Sequence, residues 1–181
     1  MLVGIDKLKR LIRDGLIEGL EENELNIEGC GIDLRLGEVY EMEDGEGKLL
    51  IETRDTPKFK LIAKYEKGKS NRVNLEPGKV YLGKTIEKIN TPQNLLGWFL
   101  PRSTFYRCGI IVQGIRTDPG YKGEFTFMMS NISNRPFEIE LGARIASMVF
   151  LEISGKTNLY KGQWQGGRVF IEGEERQTKQ K

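Results

Sequence analysis

Histidine is absent from this 181-residue chain. That gap removes the serine–histidine and cysteine–histidine nucleophiles, imidazole acid–base chemistry and the common zinc sites. Any catalysis has to run on carboxylates, hydroxyls, arginines and a metal brought in by the substrate. Cysteine is scarce as well. Cys30 and Cys108 are the only two, and both flank apolar residues, so they read as small buried hydrophobes rather than a disulfide pair. No apolar run approaches the roughly 18 residues that cross a membrane, and the N-terminus turns charged within a few residues. Neither a membrane span nor a signal peptide is expected, and a soluble cytoplasmic protein follows. An excess of one charge sign is missing too: 28 Lys and Arg against 26 Asp and Glu leave +2. That balance gives no ground for a nucleic-acid or membrane partner, so any phosphate binding must come from local arrangement.

What is present is a succession of short strands. Asp6 reads as an N-cap, followed by Leu8, Leu11 and Ile12 on one helical face, with Gly15 as the stop. Ile32, Leu34 and Leu36 alternate with Asp33 and Arg35, the pattern of a half-buried strand between Gly29 and Gly37. Leu49 to Ile51 is a short strand, and 53–71 is a polar, lysine-rich excursion. Strands follow at 79–89, 95–100 and 109–113. In 124–130, Phe125, Phe127 and Met129 face one way, and Glu124, Thr126, Met128 and Ser130 the other. Further strands cover 137–141 and 145–153. Together these predict an all-β fold, a sandwich or barrel with one short N-terminal helix, in a single domain over 1–181. The glycine-containing polar stretch 156–181 is expected to be a flexible C-terminal tail, and its Trp164 marks it as a candidate lid.

The chemistry concentrates in two runs, Pro101-Arg-Ser-Thr-Phe-Tyr-Arg-Cys-Gly109 and Ile115-Arg-Thr-Asp-Pro-Gly-Tyr-Lys-Gly-Glu124. The guanidinium forks of Arg102 and Arg107 suit phosphate oxygens, and the hydroxyls of Ser103 and Thr104 add donors. A surface turn with incidental arginines has the same spelling. Asp118 can orient water, and it also fits the first position of an ordinary β-turn with proline next. Tyr121 is either half-buried packing or a ring against a sugar.

Five segments in order resemble the dUTPase and dCTP deaminase superfamily, in the spelling of archaeal-type, deaminase-like dUTPases. They are Gly31-Ile-Asp-Leu-Arg-Leu-Gly37, the two runs above, Gly142-Ala-Arg-Ile-Ala-Ser-Met-Val-Phe150 and Tyr160-Lys-Gly-Gln-Trp-Gln-Gly-Gly167. The resemblance is weakest over 43–71, and the last segment departs from the family at Gly167, where a second glutamine is expected. The resemblance implies a distorted β-barrel or jelly-roll of the dUTPase-like kind, a homotrimer with sites between subunits, and a magnesium-bound nucleoside triphosphate as substrate. Mg2+ would be held through phosphate oxygens, with no protein ligand of its own. Carried over residue by residue, Asp118 would activate the attacking water, and Arg102, Ser103, Thr104 and Arg107 would hold the phosphates. Tyr121 would pack under the deoxyribose and the backbone around Thr126 would read the uracil edge. Tyr160, Gln163 and Gln165 would close from the tail.

The branch within the superfamily turns on one residue. dCTP deaminases are expected to carry a glutamate ten residues past the motif aspartate; here that position is Met128, which cannot shuttle protons. The resemblance therefore implies hydrolysis of dUTP to dUMP and pyrophosphate. A mono- or bifunctional dCTP deaminase is the first alternative, and a non-catalytic nucleotide-binding module the second.

Overall fold

The computed structural model describes residues 1–25, 27 and 29–177. Helix α1 (Ile5–Arg13) buries Leu8 and half-buries Leu11 and Ile12. Its N-cap is Gly4, not Asp6, which lies in the first turn, where a carboxylate favours the helix dipole without capping. Gly15 ends the helix at φ +91°. The strands are β1 (Ile17–Glu18), β2 (Gly31–Met42), β3 (Lys48–Leu49), β4 (Thr53–Asp55), β5 (Phe59–Lys64), β6 (Arg72–Leu75), β7 (Val80–Asn90), β8 (Leu95–Pro101), β9 (Ile110–Gln113), β10 (Arg116–Thr117), β11 (Lys122–Asn131), β12 (Phe137–Glu140), β13 (Arg144–Glu152) and β14 (Glu175–Arg176). A second helix, α2 (Ser103–Arg107), occupies the stretch expected to be a turn.

Nine strands form one curled sheet, in the order β10-β8-β13-β2-β7-β11-β9, with β1 added on β7 and β5 on β2. β2 makes the corner. Its first half pairs with β13, and its second half pairs with β7 and β5, with a register shift at Leu36/Glu38. Gly37 sits at that corner because a Cβ there would come within 2.9 Å of the Thr85 and Ile86 backbone. The sheet curls over an aromatic stack, leaving β10 and β9 as its ends. Phe99 of β8 lies 5.0 Å from Phe125 and 5.1 Å from Phe127 of β11, ring centroid to centroid. The alternation read in 124–130 is therefore the core face of β11, and Met128 lies on the other face with Glu124 and Thr126.

A buried ion pair staples β2 to β7. Arg35 Nε is 2.7 Å from Glu87 Oε1, and the Arg35 backbone N–H donates to Glu87 Oε2 at 2.8 Å. Both cysteines are free, and neither is a core residue as expected: Cys30 is half-buried and Cys108 exposed, at the end of α2. Among the described residues no helix is long and apolar enough to cross a membrane.

The excursion and the tail meet. β14 pairs with β4 and β4 with β3, making a three-stranded sheet whose outer strands are more than a hundred residues apart in sequence. The tail expected to be mobile thus lies docked along the barrel as far as Gln177, whose N–H donates to Glu52 O at 2.9 Å.

Candidate active site

Asp118 opens a tight turn. The Tyr121 N–H returns to Asp118 O at 3.0 Å, Pro119 fixes the second position, and Gly120 takes the third at φ +85°. The turn is anchored from behind by buried Thr117, whose hydroxyl oxygen meets the Thr91 hydroxyl at 2.9 Å. The β-turn reading and the catalytic reading of Asp118 are thus compatible, since the turn is what aims the carboxylate. Arg116 Nε donates to Asp118 Oδ1 at 2.6 Å, while Oδ2 has no donor on it among the described residues.

The carboxylate opens on a cavity of about 430 Å3. Its floor is the outer face of the barrel, where Leu82 of β7, Met128 of β11 and Gln113 of β9 stand in one cross-strand row. Thr126, Tyr121 and Arg116 complete the floor. Thr56, Pro57 and Phe59 of the excursion, with Tyr160, Trp164 and Val169 of the tail, make the outer wall. Tyr121 is buried, its hydroxyl donates to Glu124 O, and burial pushes its pKa up, so its ring is the part left for contact. Tyr160 meets that ring edge-on at 5.8 Å. β11 pairs with β7 along most of its length but with β9 only from Met128 onward. Among the described residues no strand therefore covers that edge of β11 around Thr126. A β-bulge between Glu124 and Thr126 turns the Phe125 N–H aside to the Thr85 hydroxyl at 2.9 Å.

Of the ten residues given a catalytic or substrate-binding role from the sequence, four meet here, Asp118, Tyr121, Thr126 and Tyr160, together with Met128 and Trp164. The other six do not. Arg102 lies in a second, polar cavity of about 440 Å3, where Nη1 pairs with Asp33 Oδ2 at 3.0 Å beside Arg144 and Glu24. Ser103 and Thr104 are exposed on the first turn of α2, and Arg107 closes that helix with its guanidinium 5.6 Å from the Tyr106 ring. Thr117 pairs with Gly97, which sets Asp118 level with Leu96, six residues from Arg102 along β8. At the rise of an extended strand the two half-sites stand about 20 Å apart.

Gln163 and Gln165 serve the tail's docking. Gln165 Oε1 accepts the Lys122 N–H and Nε2 donates to Gly120 O, both at 2.9 Å, bridging the turn that carries Asp118. Gln163 accepts from Arg54 and donates to Arg176 O. Among the described residues no three of Asp, Glu, Cys and His converge on one point.

Sequence reasoning missed Arg116, Gln113 and the excursion wall. Arg116 was legible, two residues before Asp118 in the same run. Gln113 and Thr56 to Phe59 carry no local signal, because only strand pairing brings them to the cavity.

A family model described as dCTP deaminase-like matches residues 3–153. The deoxyuridine 5'-triphosphate nucleotidohydrolase of Methanocaldococcus jannaschii is 32% identical over 168 residues, 92% of this chain and 99% of that protein. A dUMP-forming dCTP deaminase of Dictyoglomus thermophilum is 32% identical over 169 residues, 89% of this chain and 86% of that protein. The crystal structure of 2'-deoxycytidine 5'-triphosphate deaminase from Agrobacterium tumefaciens shares the fold, with a TM-score of 0.63 and 16% identity. The likeness covers 84% of this chain and 48% of that one.

Proposed function

Because the chain belongs to the dCTP deaminase-like family, we propose that it is a dUTP diphosphatase, splitting dUTP into dUMP and pyrophosphate in the cytoplasm. The observation that carries this reading is the pairing of Asp118 with Met128 in one cavity. The site has a carboxylate for water and, where deamination would use a glutamate, a thioether with no proton to move. The hydrolase name of a relative matched over 92% of the chain supports it.

The uracil edge meets the uncovered backbone of β11 around Thr126, and the Tyr121 ring lies against the deoxyribose, leaving no room for a 2′-hydroxyl. Arg116 holds Asp118 Oδ1, so Oδ2 faces the water. The water gives a proton to Asp118 as its oxygen bonds to the α-phosphorus. The bond from that phosphorus to the bridging oxygen on the far side breaks in line, and its electron pair leaves with pyrophosphate. The substrate is the magnesium complex of dUTP, whose metal rides on phosphate oxygens and neutralises their charge.

Arg102, Ser103, Thr104 and Arg107 hold the phosphates, but not those of the nucleotide at their own chain's Asp118. A triphosphate does not bridge the roughly 20 Å of extended strand between the two half-sites. The phosphate half is supplied by a neighbouring copy in a homotrimer. Between the half-sites the outer face of β8 exposes Trp98 and Leu100, which such a copy would cover.

A second reading, dCTP deamination, is favoured by the likeness to the Dictyoglomus enzyme. Incubation with dUTP and with dCTP, with products resolved, decides between them. The expected result is dUMP from dUTP and no product from dCTP; dUTP or dUMP formed from dCTP overturns the proposal. Asp118→Asn should lower kcat by roughly 10²–10⁴ while still binding a non-hydrolysable dUTP analogue, the loss typical of a missing general base. Unchanged turnover would rule out the Asp118 mechanism.

A further inference from the structure

The stretch 43–71, where the resemblance to the family is weakest, contains the polar excursion that walls the cavity at Thr56, Pro57 and Phe59. The structure assigns it a further role: Arg54 is a positioning residue that latches the C-terminal tail, so that Trp164 stands as a wall of the Asp118 cavity.

Arg54 lies on β4, outside the five motif segments. Its guanidinium touches the tail at three separated points. Nη2 donates to Gln163 Oε1 and to Glu175 Oε1, the latter at 2.9 Å. Its planar face lies over the Trp164 indole, 4.8 Å from the ring centroid. Nε is buried with no hydrogen-bond partner among the described residues, so the group is not placed there for its own solvation. The contacts also organise one another. Glu175 takes a second arginine, Arg168 Nη1, on its other oxygen at 2.9 Å. Gln163 Nε2 donates to Arg176 O at 2.9 Å, beside the backbone pairing of Glu175 with Arg54 and Arg176 with Thr53. A planar guanidinium can serve acceptors in its plane and an aromatic ring on its face; a compact ammonium keeps the donors but has no such face.

The latch bears on the cavity directly. Trp164 and Val169 line it from the tail, and Thr56, Pro57 and Phe59 line it from the strand segment just past Arg54. Excursion and tail thus form one wall, joined by Arg54 at Gln163, Trp164 and Glu175, by the Thr56 hydroxyl that accepts the Ile171 N–H, and by the Gln177 side chain on Leu50 O. With the latch open, the floor and Phe59 of β5 stay in place on the barrel, while Trp164 and Val169 of the tail leave the wall. The consequence falls on nucleotide retention more than on the water-activating carboxylate. This step rests on the dUTP diphosphatase reading of the same cavity, whereas the latch itself does not.

The full-length protein labelled with 5-fluorotryptophan gives two 19F signals, one from Trp164 and one from Trp98, the latter an internal reference on β8 that makes none of the latch contacts. Trp164→Phe assigns them. In Arg54→Ala without nucleotide, the Trp164 signal should move to the solvent-exposed position and sharpen while Trp98 stays put. Limited proteolysis should cut the tail about tenfold faster, in line with the loss of one charged, partly buried anchor. Glu175→Gln should do the same to a lesser degree, and Arg54→Lys should recover part of the wild-type signal. KM for dUTP should rise about tenfold in Arg54→Ala with kcat changed less than about twofold, the signature of lost binding rather than lost chemistry. An unmoved Trp164 signal in both Arg54→Ala and Glu175→Gln overturns the latch. A released Trp164 with unchanged KM overturns its service to the site. Wild-type protein that turns over no dUTP overturns the diphosphatase reading alone, and the nucleotide-free 19F spectra still decide the latch.

Discussion

At the scale of single residues, Gly167 shows how a departure from a family pattern can have a steric cause. A second glutamine is expected at this position. The tail here runs so close to β11 that a Cβ on Gly167 would lie 2.8 Å from Glu124 O, and one on Gly123 would lie 2.6 Å from the Gly166 backbone. Gly167 also stands at φ +72°, a conformation that costs an L-residue roughly 1–2 kcal/mol. Gly167→Ala should therefore weaken tail docking by at least that much and leave the barrel alone. Hydrogen exchange reads this directly. The Gly166 N–H, bonded to Lys122 O at 2.9 Å, should exchange about tenfold faster or more, while core amides of β7 and β11 keep their protection. Unchanged exchange at Gly166 would mean that the close approach is relaxed without cost. Asp118 and Met128 were both legible from sequence, one from its turn and the other from strand alternation. Gly167 was not, because its constraint is a backbone 43 residues away in the chain.

At the scale of elements, legibility followed periodicity. β2, β7, β11 and β13 bury one face or both, so their patterns of two or of continuous apolar residues were readable in advance. Helix α2 was not, since five residues are too few to display a helical period. The excursion and tail were unreadable for a different reason: each is polar and aperiodic alone, and they become structured by pairing across the length of the chain. That pairing carries a pH signature. Glu175 faces Arg54 of β4 and Arg168 of the tail, and the hydrogen bond from Arg54 is the main reason its carboxyl is held below its usual value of 4.5. A carboxylate with a lowered pKa in the docked state contributes to docking above the pKa of the free state. That contribution is lost as pH falls through the lower, docked value. The tail should thus undock on acidification below about pH 4.5, seen as movement of the Trp164 19F signal, and this acid limb should be absent in Glu175→Gln. A limb of equal size in that variant would assign the titration to another group.

At the scale of the whole molecule, β8 acts as a spacer. On the proposed reading it holds the nucleoside half of the chemistry near Leu96 and the phosphate half just past Pro101, on the same chain but out of reach of one substrate. A chain built this way would gain activity by assembling head to tail, each copy lending its Arg102 end to the next copy's Asp118 end, and three copies would close such a ring without leaving a free half-site. Two inactive variants should then repair each other. In a mixture of equal parts Asp118→Asn and Arg102→Ala, unfolded and refolded together, a site is intact when its Asp118 comes from an Arg102→Ala chain and its phosphate end from an Asp118→Asn chain. Random assembly gives each condition one half of the time, so about a quarter of wild-type activity should return, against almost none for either variant alone. A site contained in one chain would recover nothing on mixing. Sedimentation of the wild type as a monomer with full activity would likewise rule out the shared site, because the distance along β8 would then have to be closed within a single barrel.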